Sequence, residues 1–533
     1  MTSARVLILQ AMAVSLGLNL VSTGPVYSTP SDMLQYMNPN QKKTYLNQGQ
    51  DRVIKKQNFK KVEAEGAQPI PNKEIGLFAH VETNMLGDDE KLKALLADPR
   101  VNGLSALIAW QQLEPVEDQY QWQAVDHILQ LCADAKKSLI LRISTCGLDT
   151  APDTISDTPK WVFDAGAKSL PYTGADAKEH QMPVYWDPVY TAKWSNFVNA
   201  MGQKYDKNSA IHSIGITGGG VRGGTQVIPD CNGDKVQREG LEQKLKTDYK
   251  MSQQQLVQHW KYIADLFPHS FTVARLNFDV DPPTANRQGQ DSLDEISDYL
   301  VYRYGERVYL SRIDVDSAKH GFDQYRVLIK FRPDTLTGYG LAESFPAADL
   351  SKLVKDSLDD GISFIELPTS LLQNTDAAVA SALQELRSHL GYQLLSQKVS
   401  LPSDIKSGAP LKAEFTFINL GSATAMRPNR QFDKDVASSY KVQLELRDTT
   451  GTAVLQSLHT PAVPTNQWTA GKPISWEEEL KMAPLKPGEY SVWLSLVDPD
   501  TKRRLQILDA AGDVSKNVPD TAIAVGKIQV LAE

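Results

Sequence analysis

Leu336-Thr-Gly-Tyr-Gly-Leu-Ala-Glu-Ser344, an amphipathic segment from Ala347 to Leu358, a Gly361 stop, and Ile362-Ser-Phe-Ile-Glu-Leu-Pro-Thr-Ser370 read as strand, helix and strand. Short apolar runs bounded by turn residues mark buried strands, and apolar residues recurring every three or four positions mark a helix. Two strands joined through such a helix run parallel, because the helix crosses back over the sheet. Outward from this unit the same pattern recurs in Ile75 to Thr83, Val101 to Trp110, Leu139 to Gly147, Ile211 to Gly220, Phe271 to Asp281 and Val308 to Asp316. Eight runs in all predict an α/β protein built on a (β/α)8 TIM barrel. An open sheet is the rival, but no glycine-rich dinucleotide loop opens the first unit.

The helical intervals support that count. Tyr190, Trp194, Phe197, Met201 and Tyr205 share one helical face, so Trp194 belongs to the core. Gln253 to Phe267, Ser292 to Tyr304 and Ala377 to Leu390 have similar patterns, and Gly391 stops the last.

In such a barrel the carboxyl ends of all strands open on one face, where residues distant in sequence converge on one bound molecule. The ends here carry Glu82, Trp110, Arg142, Asp279, Asp281, Asp314, Asp316, Glu343 and Glu366. Carboxylates and aromatics together suit a sugar, whose hydroxyls need hydrogen-bond partners and whose ring faces need flat apolar surfaces.

With 533 residues the chain has room for a barrel of roughly 250 to 320 residues and a second domain of roughly 140. A formal net charge of −8 argues against a general nucleic-acid binder, which needs a basic face to neutralise phosphates. Cys132, Cys146 and Cys231 are too few and too scattered for a disulfide framework, although one bridge is open to them in an oxidising compartment. No cofactor motif and no metal-ligand spacing is present. Asp279 and Asp281 would hold calcium only if further oxygens converged on them.

Arg5 followed by the uncharged run Val6 to Val21, then Ser22, Gly24 and Ser28, has the layout of a signal peptide over residues 1–28. An uncleaved anchor is the alternative, weakened by Gln10 and Asn19 within the run. No later segment is apolar enough to cross a membrane, so a periplasmic or secreted location with no stable membrane insertion is expected. Residues 29–70 are polar, with paired lysines such as Lys42-Lys43 and Lys55-Lys56, and read as a lead-in or linker. The barrel is expected over 71–392. After Gly391 the period changes to two, in Lys412 to Asn419, Lys441 to Arg447 and Tyr490 to Val497, with turns at Asp448-Thr-Thr-Gly451 and Lys486-Pro-Gly488. That alternation predicts an antiparallel β-sandwich over 393–533.

The second strand leads into Trp110-Gln-Gln-Leu-Glu114-Pro115, Tyr120-Gln-Trp122 and a helix with Asp126. Thr158-Pro-Lys-Trp161 follows the third strand, and Met182-Pro-Val-Tyr-Trp186-Asp-Pro188 precedes the fourth. Together these resemble barrel glycoside hydrolases, especially the family 42 β-galactosidase-like group, over roughly residues 75 to 390. The resemblance implies cleavage of glycosidic bonds in an oligosaccharide or polysaccharide. It also implies a Glu acid/base at the end of the fourth strand and a Glu nucleophile at the end of the seventh, because one carboxyl must protonate the leaving oxygen while another meets the sugar carbon.

Glu343 stands where the nucleophile is expected. The fourth strand instead ends in Ile216-Thr-Gly-Gly-Gly-Val-Arg222-Gly-Gly-Thr225-Gln226, with Thr225 or Gln226 in place of the acid. Neither can give up a proton as a carboxylic acid does. The glycines suit either close approach to a ligand or a tight turn. Three explanations stay open: a carboxylate elsewhere supplies the proton, with Asp230, Asp281, Asp314 and Glu366 as candidates; the chemistry differs from the retaining scheme; or the site binds saccharide without cleaving it, as an envelope-assembly or carbohydrate-binding protein would.

Trp110 and Trp186 are candidates for stacking on sugar faces, with core packing as the alternative. Arg142, Arg222, Thr225, Gln226 and Arg312 are candidates for substrate contact, and for Arg142 and Arg312 ion pairs with Asp314 and Glu366 are the alternative. Glu114 is expected to hold its loop. His80 and His212 are read as core histidines.

Overall fold

The computed structural model describes residues 74–81, 83–148, 156–285, 287–316, 326–425, 439–499, 502, 504–509 and 522–532. The signal-peptide and lead-in readings, and Glu82, fall outside them.

Eight parallel strands close into a barrel: β1 (Gly76–Val81), β2 (Val101–Ala109), β3 (Ser138–Ser144), β4 (Ile211–Gly215), β5 (Leu276–Asp279), β6 (Val308–Val315), β7 (Thr337–Leu341) and β8 (Phe364–Leu367). Each pairs with its neighbours in sequence, and β8 returns to β1 through Gly76 with Phe364 and Phe78 with Glu366. Each of the eight apolar runs holds a strand, β3 beginning one residue ahead of its run at Ser138, and the strands are shorter than the runs. Phe271 ends the helix Gln253–Ser270 instead of opening β5, and Thr369 and Ser370 belong to a short helix after β8.

The helices between strands form where their apolar stripes require. Pro188–Tyr205 starts at Asp187, whose carboxylate accepts from the N–H groups of Val189 and Tyr190 at 2.9 and 3.1 Å, with Pro188 at the position where a missing N–H is harmless. Tyr190, Trp194, Phe197, Met201 and Tyr205 are all buried against the barrel. At the end of the helix Ala377–His389, Gly391 takes a left-handed backbone (φ 65°) in which the chain turns away. One element is unforeseen: Ser169–Thr173 and Glu179–Pro183 pair as an antiparallel hairpin between β3 and β4, burying Leu170, Tyr172, His180 and Met182.

Inside the barrel the residues are layered. Phe78, Ile140, Tyr309 and Phe364 form a buried apolar layer, with the His212 ring 4.6 Å from Phe78. Strand side chains repeat every two residues on one face, so the next inward residue on these strands is His80, Arg142, Ser311 and Glu366 in turn. An apolar floor therefore lies under a polar upper layer.

Beyond Gly391, Leu394–Ser400, Leu411–Asn419 and Ile474–Leu480 form a three-stranded antiparallel sheet. A second sheet contains Lys441–Arg447, Ala453–His459, Gly488–Val497 and Ile523–Leu531 in antiparallel pairing, with Asp404–Lys406 added in parallel. Phe415 and Phe417 stack on Trp476, and Val442, Leu444, Leu446, Val492, Leu494 and Leu496 are buried. No helix of the described residues is long and apolar enough to cross a membrane.

Candidate active site at the barrel mouth

The polar layer is tied across the barrel by one ion pair. Arg142 on β3 reaches Glu366 on β8, giving Nη2 to Oε1 at 2.7 Å and Nη1 to Oε2, while Ser105 Oγ also donates to Oε2. Arg142 Nη2 also donates to Ser311 Oγ at 3.2 Å, and Ser311 donates to Asn277 at 2.7 Å. Burial opposes ionisation of Glu366, but the Arg142 charge and the hydrogen bonds from Arg142 and Ser105 outweigh it and hold the carboxyl below its ordinary range. Glu366 is thus a fixed anion, and Arg142 is its structural partner.

Above this pair a cavity of about 60 Å³ is lined by Arg142, Glu366, His80, Arg222, Asp314 and Glu343, among others. Glu343 lies just beyond β7 with its side chain 37% exposed, and His80 Nε2 stands 3.9 Å from its Oε1. His80 is therefore at the mouth, contrary to its reading as a core histidine. The expectation holds for His212, whose ring nitrogens meet Ser213 Oγ at 2.9 Å and the Glu74 carbonyl at 3.1 Å. Burial lowers the His212 pKa to about 4.

Asp314 and Arg222 meet over the cavity at 3.6 Å. Both have left-handed backbones, with φ of 59° and 51°. Such conformations are uncommon for residues other than glycine and gather where surrounding structure imposes them. For Asp314 the cause is a bulge: Arg312 to Val315 on β6 spans the same interval as Tyr339 to Leu341 on β7, so one extra residue is pushed toward the mouth. Asp314 does not pair with Arg142 or Arg312.

Arg312 turns instead to two aspartates at the end of β5, with Nη2 3.1 Å from Asp281 Oδ2 and Nη1 3.9 Å from Asp279 Oδ1. Thr225 and Gln226, which stand where the fourth-strand acid is expected, bind the same two aspartates. Asp279 Oδ2 accepts from Thr225 N at 3.1 Å and Thr225 Oγ1 at 3.2 Å, and Gln226 Nε2 donates to Asp281 Oδ2. Ile313 N adds a bond to Asp279 Oδ1 at 3.1 Å. Burial pushes the Asp281 carboxyl up to about 7; Arg312 and Gln226 act against that rise, and the charges of Asp279 and Asp314 add to it. Burial raises Asp279 as well, against Arg312 and the donated N–H bonds.

The aromatic candidates lie elsewhere. Trp110 is 0% exposed and packs edge-on against Trp161, Tyr190 and Trp194, with its indole N–H given to Glu114 at 2.8 Å. It presents no face to a ligand, so the stacking reading is corrected to core packing. Glu114 holds its loop through Trp110 and Asp118 N. Trp186 is half-buried, gives its N–H to the Tyr249 carbonyl at 2.8 Å and meets the His259 ring edge-on. It does not line the mouth cavity. The glycine run after β4 serves packing: a Cβ on Gly218 (φ 93°) would lie 2.1 Å from Trp194 Nε1. The three cysteines are buried, and none is in a disulfide among the described residues. Among the described residues no group of three His, Cys, Asp or Glu could hold a metal ion.

Residues 88–260 match the glycoside hydrolase family 42 model, described as beta-galactosidase. The barrel resembles that of the family 42 glycoside hydrolases. The matched segment of this glycoside-hydrolase-like barrel includes Trp110, Arg142, Trp186 and the Thr225-Gln226 turn, and it ends before Asp279, Asp281 and Glu343.

Solved structures similar to the chain include the catalytic domain of a β-amylase from Paenibacillus polymyxa, 12% identical over 59% of this chain and 98% of that one (TM-score 0.44). An exo-β-1,4-mannosidase from Opitutaceae bacterium strain TAV5 is 10% identical over 62% of this chain and 58% of that one (TM-score 0.34). A CARDB domain from Pyrococcus furiosus is 13% identical over 27% of this chain and 94% of that one (TM-score 0.15). No curated protein matches the chain.

Proposed function

We propose that this is an exported protein, periplasmic or secreted, that cleaves glycosidic bonds in an oligosaccharide or polysaccharide by carboxylate chemistry at the barrel mouth. In this reading residues 1–28 are removed, 29–70 are a polar lead-in or linker, 71–392 are the barrel, and 393–533 are a sandwich. Glu343 is the nucleophile or principal stabiliser of the sugar carbon, and a second carboxyl supplies the proton.

The observation that carries the reading is the position of Glu343. It is a half-exposed carboxylate at the end of β7, on the cavity that also receives Arg142, Glu366 and His80. The family match over 88–260 supports the same class of chemistry. Turnover of a panel of glycans and aryl glycosides by the purified protein, set against Glu343→Gln, tests it. The variant is expected to lose at least about 10²-fold in kcat/KM. Equal turnover by both proteins removes Glu343 from the mechanism.

A second reading, saccharide binding without cleavage, is favoured by the size of the cavity. About 60 Å³ is far below the roughly 300 Å³ at which ligand pockets begin, so a sugar enters only if the mouth opens. Calorimetric binding of a glycan that neither protein hydrolyses would support this alternative.

A further inference from the structure

We propose that His80, on β1, is a positioning residue for Glu343: its protonated ring holds the Glu343 carboxyl as an anion and fixes how that carboxyl faces the sugar carbon. This rests on the reading above, in which Glu343 meets that carbon.

The strands place the two side chains together. His80 is the inward residue of β1 two positions beyond Phe78, and Phe78 lies level with Glu366 on the neighbouring strand. The imidazole is thereby carried two residues past the level of Glu366, toward the mouth. β7 ends at Leu341 on the far side of β8, and Glu343 follows it at once. His80 Nε2 and Glu343 Oε1 are 3.9 Å apart, with side chains 24% and 37% exposed. A pair so far withdrawn from solvent is screened less than one on the open surface.

The other charges at the mouth are matched among themselves. The ionisable side chains that line the cavity are His80, Arg142, Arg222, Asp314, Glu343 and Glu366. Arg142 is committed to Glu366 through both terminal nitrogens, and Arg222 faces Asp314 at 3.6 Å. Arg312, outside the cavity, turns to Asp281 and Asp279. With these pairs made, His80 stands at ion-pair distance from the remaining carboxylate, Glu343. A protonated ring gives the lining equal charges of both signs. A neutral ring leaves an excess of negative charge, which opposes ionisation of the carboxyl that must be ionised to meet a positive sugar carbon.

The charged groups that face the ring among the described residues act in both directions. Glu343 from the end of β7, Glu366 from β8 and Asp314 from β6 favour the imidazolium, whereas Arg142 from β3 and Arg222 from the turn after β4 oppose it. His80 acts on Glu343 and not on the leaving group. Groups that flank a scissile glycosidic bond stand about 5 to 9.5 Å apart, and 3.9 Å leaves no room for the bond between them. The ring keeps its proton throughout, and no bond to it forms or breaks.

The test uses the full chain and 4-nitrophenyl glycosides. His80→Gln keeps a polar side chain and removes the charge. The acid limb of kcat/KM, which reports ionisation of the nucleophile in the free enzyme, is expected to move up by about one pH unit. At neutral pH kcat is expected to fall about 10-fold while KM changes less than about threefold. His80→Lys restores a cation and is expected to bring the limb back toward its wild-type position. A partly unfolded preparation lowers kcat without moving the limb, so a merely structural role is separated. In a second measurement, NMR titration of ring-labelled histidines, the His80 signal is assigned by its loss in His80→Gln. Its pKa is expected to fall by about one unit in Glu343→Gln. An unmoved acid limb in His80→Gln, equal displacement in the Gln and Lys variants, or an unchanged His80 titration in Glu343→Gln would overturn the proposal. An inactive Glu343→Gln beside any of these would leave the cleavage reading standing. Turnover of no glycoside by the wild type would remove that reading, and the role of His80 with it.

Discussion

Arg142 and Glu366, separated by 224 residues, form a two-pronged ion pair across the barrel interior with side chains only 6% and 4% exposed. The pair joins β3 to β8 and forms the floor of the cavity at which Glu343 stands. Its role is structural: a guanidinium so engaged has little left to offer a substrate, and a carboxyl so stabilised as an anion is a poor proton donor.

Removing one partner leaves a buried charge alone, which typically destabilises by about 3 to 5 kcal/mol. Arg142→Ala is expected to fall in that range in urea denaturation at neutral pH. Glu366→Gln is expected to change the pH dependence also. The folded pKa of Glu366 lies below its ordinary 4.5, so its stabilisation is present above that value and is lost as the pH falls through the folded pKa. The variant should lack that part of the acid limb. An unchanged acid limb would show that Glu366 is not held as an anion.

Trp110 separates core packing from ligand stacking. Trp110→Phe keeps most of the apolar volume but leaves Glu114, itself buried, without the indole donor. A stability loss of about 1 to 3 kcal/mol is expected, with affinity for any bound glycan unchanged. A tenfold loss of glycan affinity at unchanged stability would return the ring to the site.

The barrel was legible because each strand is a short apolar run and each helix shows its buried stripe, as Tyr190 to Tyr205 does. The hairpin at 169–183 was missed because five-residue strands interrupted by Pro171 and Pro183 give almost no periodic signal. The mouth was legible as a set of strand ends, but its pairings were not. Which arginine meets which carboxylate depends on stagger and on the bulge that displaces Asp314, and neither follows from local sequence. His80 was misread because its neighbours Phe78, Ala79 and Val81 are core residues. The usable signal was its place two residues beyond Phe78 on the inward face, where the other strands carry Arg142, Ser311 and Glu366. Trp110 was misread for the opposite reason: a strand-end aromatic looks available until the surrounding helices are known to bury it.

Two buried histidines should govern stability in weak acid. Burial lowers His212 to about 4 and His259 to about 3, and His259 Nε2 has no hydrogen-bond partner among the described residues. Unfolded histidines titrate near 6.5, so between that value and the folded pKa the unfolded chain binds more protons and stability falls as pH drops. Each such histidine contributes about 1.4 kcal/mol per pH unit in that window. Asp281 acts in the opposite sense, since its folded pKa of about 7 lies above the ordinary 3.8 and the folded state holds the extra proton there. The net slope is therefore a difference, and variants isolate its parts. His259→Leu is expected to remove one proton from the slope near pH 5, and Asp281→Asn to add one, both read from urea denaturation across pH 4 to 7. A His259→Leu slope equal to that of the wild type would mean that the folded protein does not keep His259 neutral in this range.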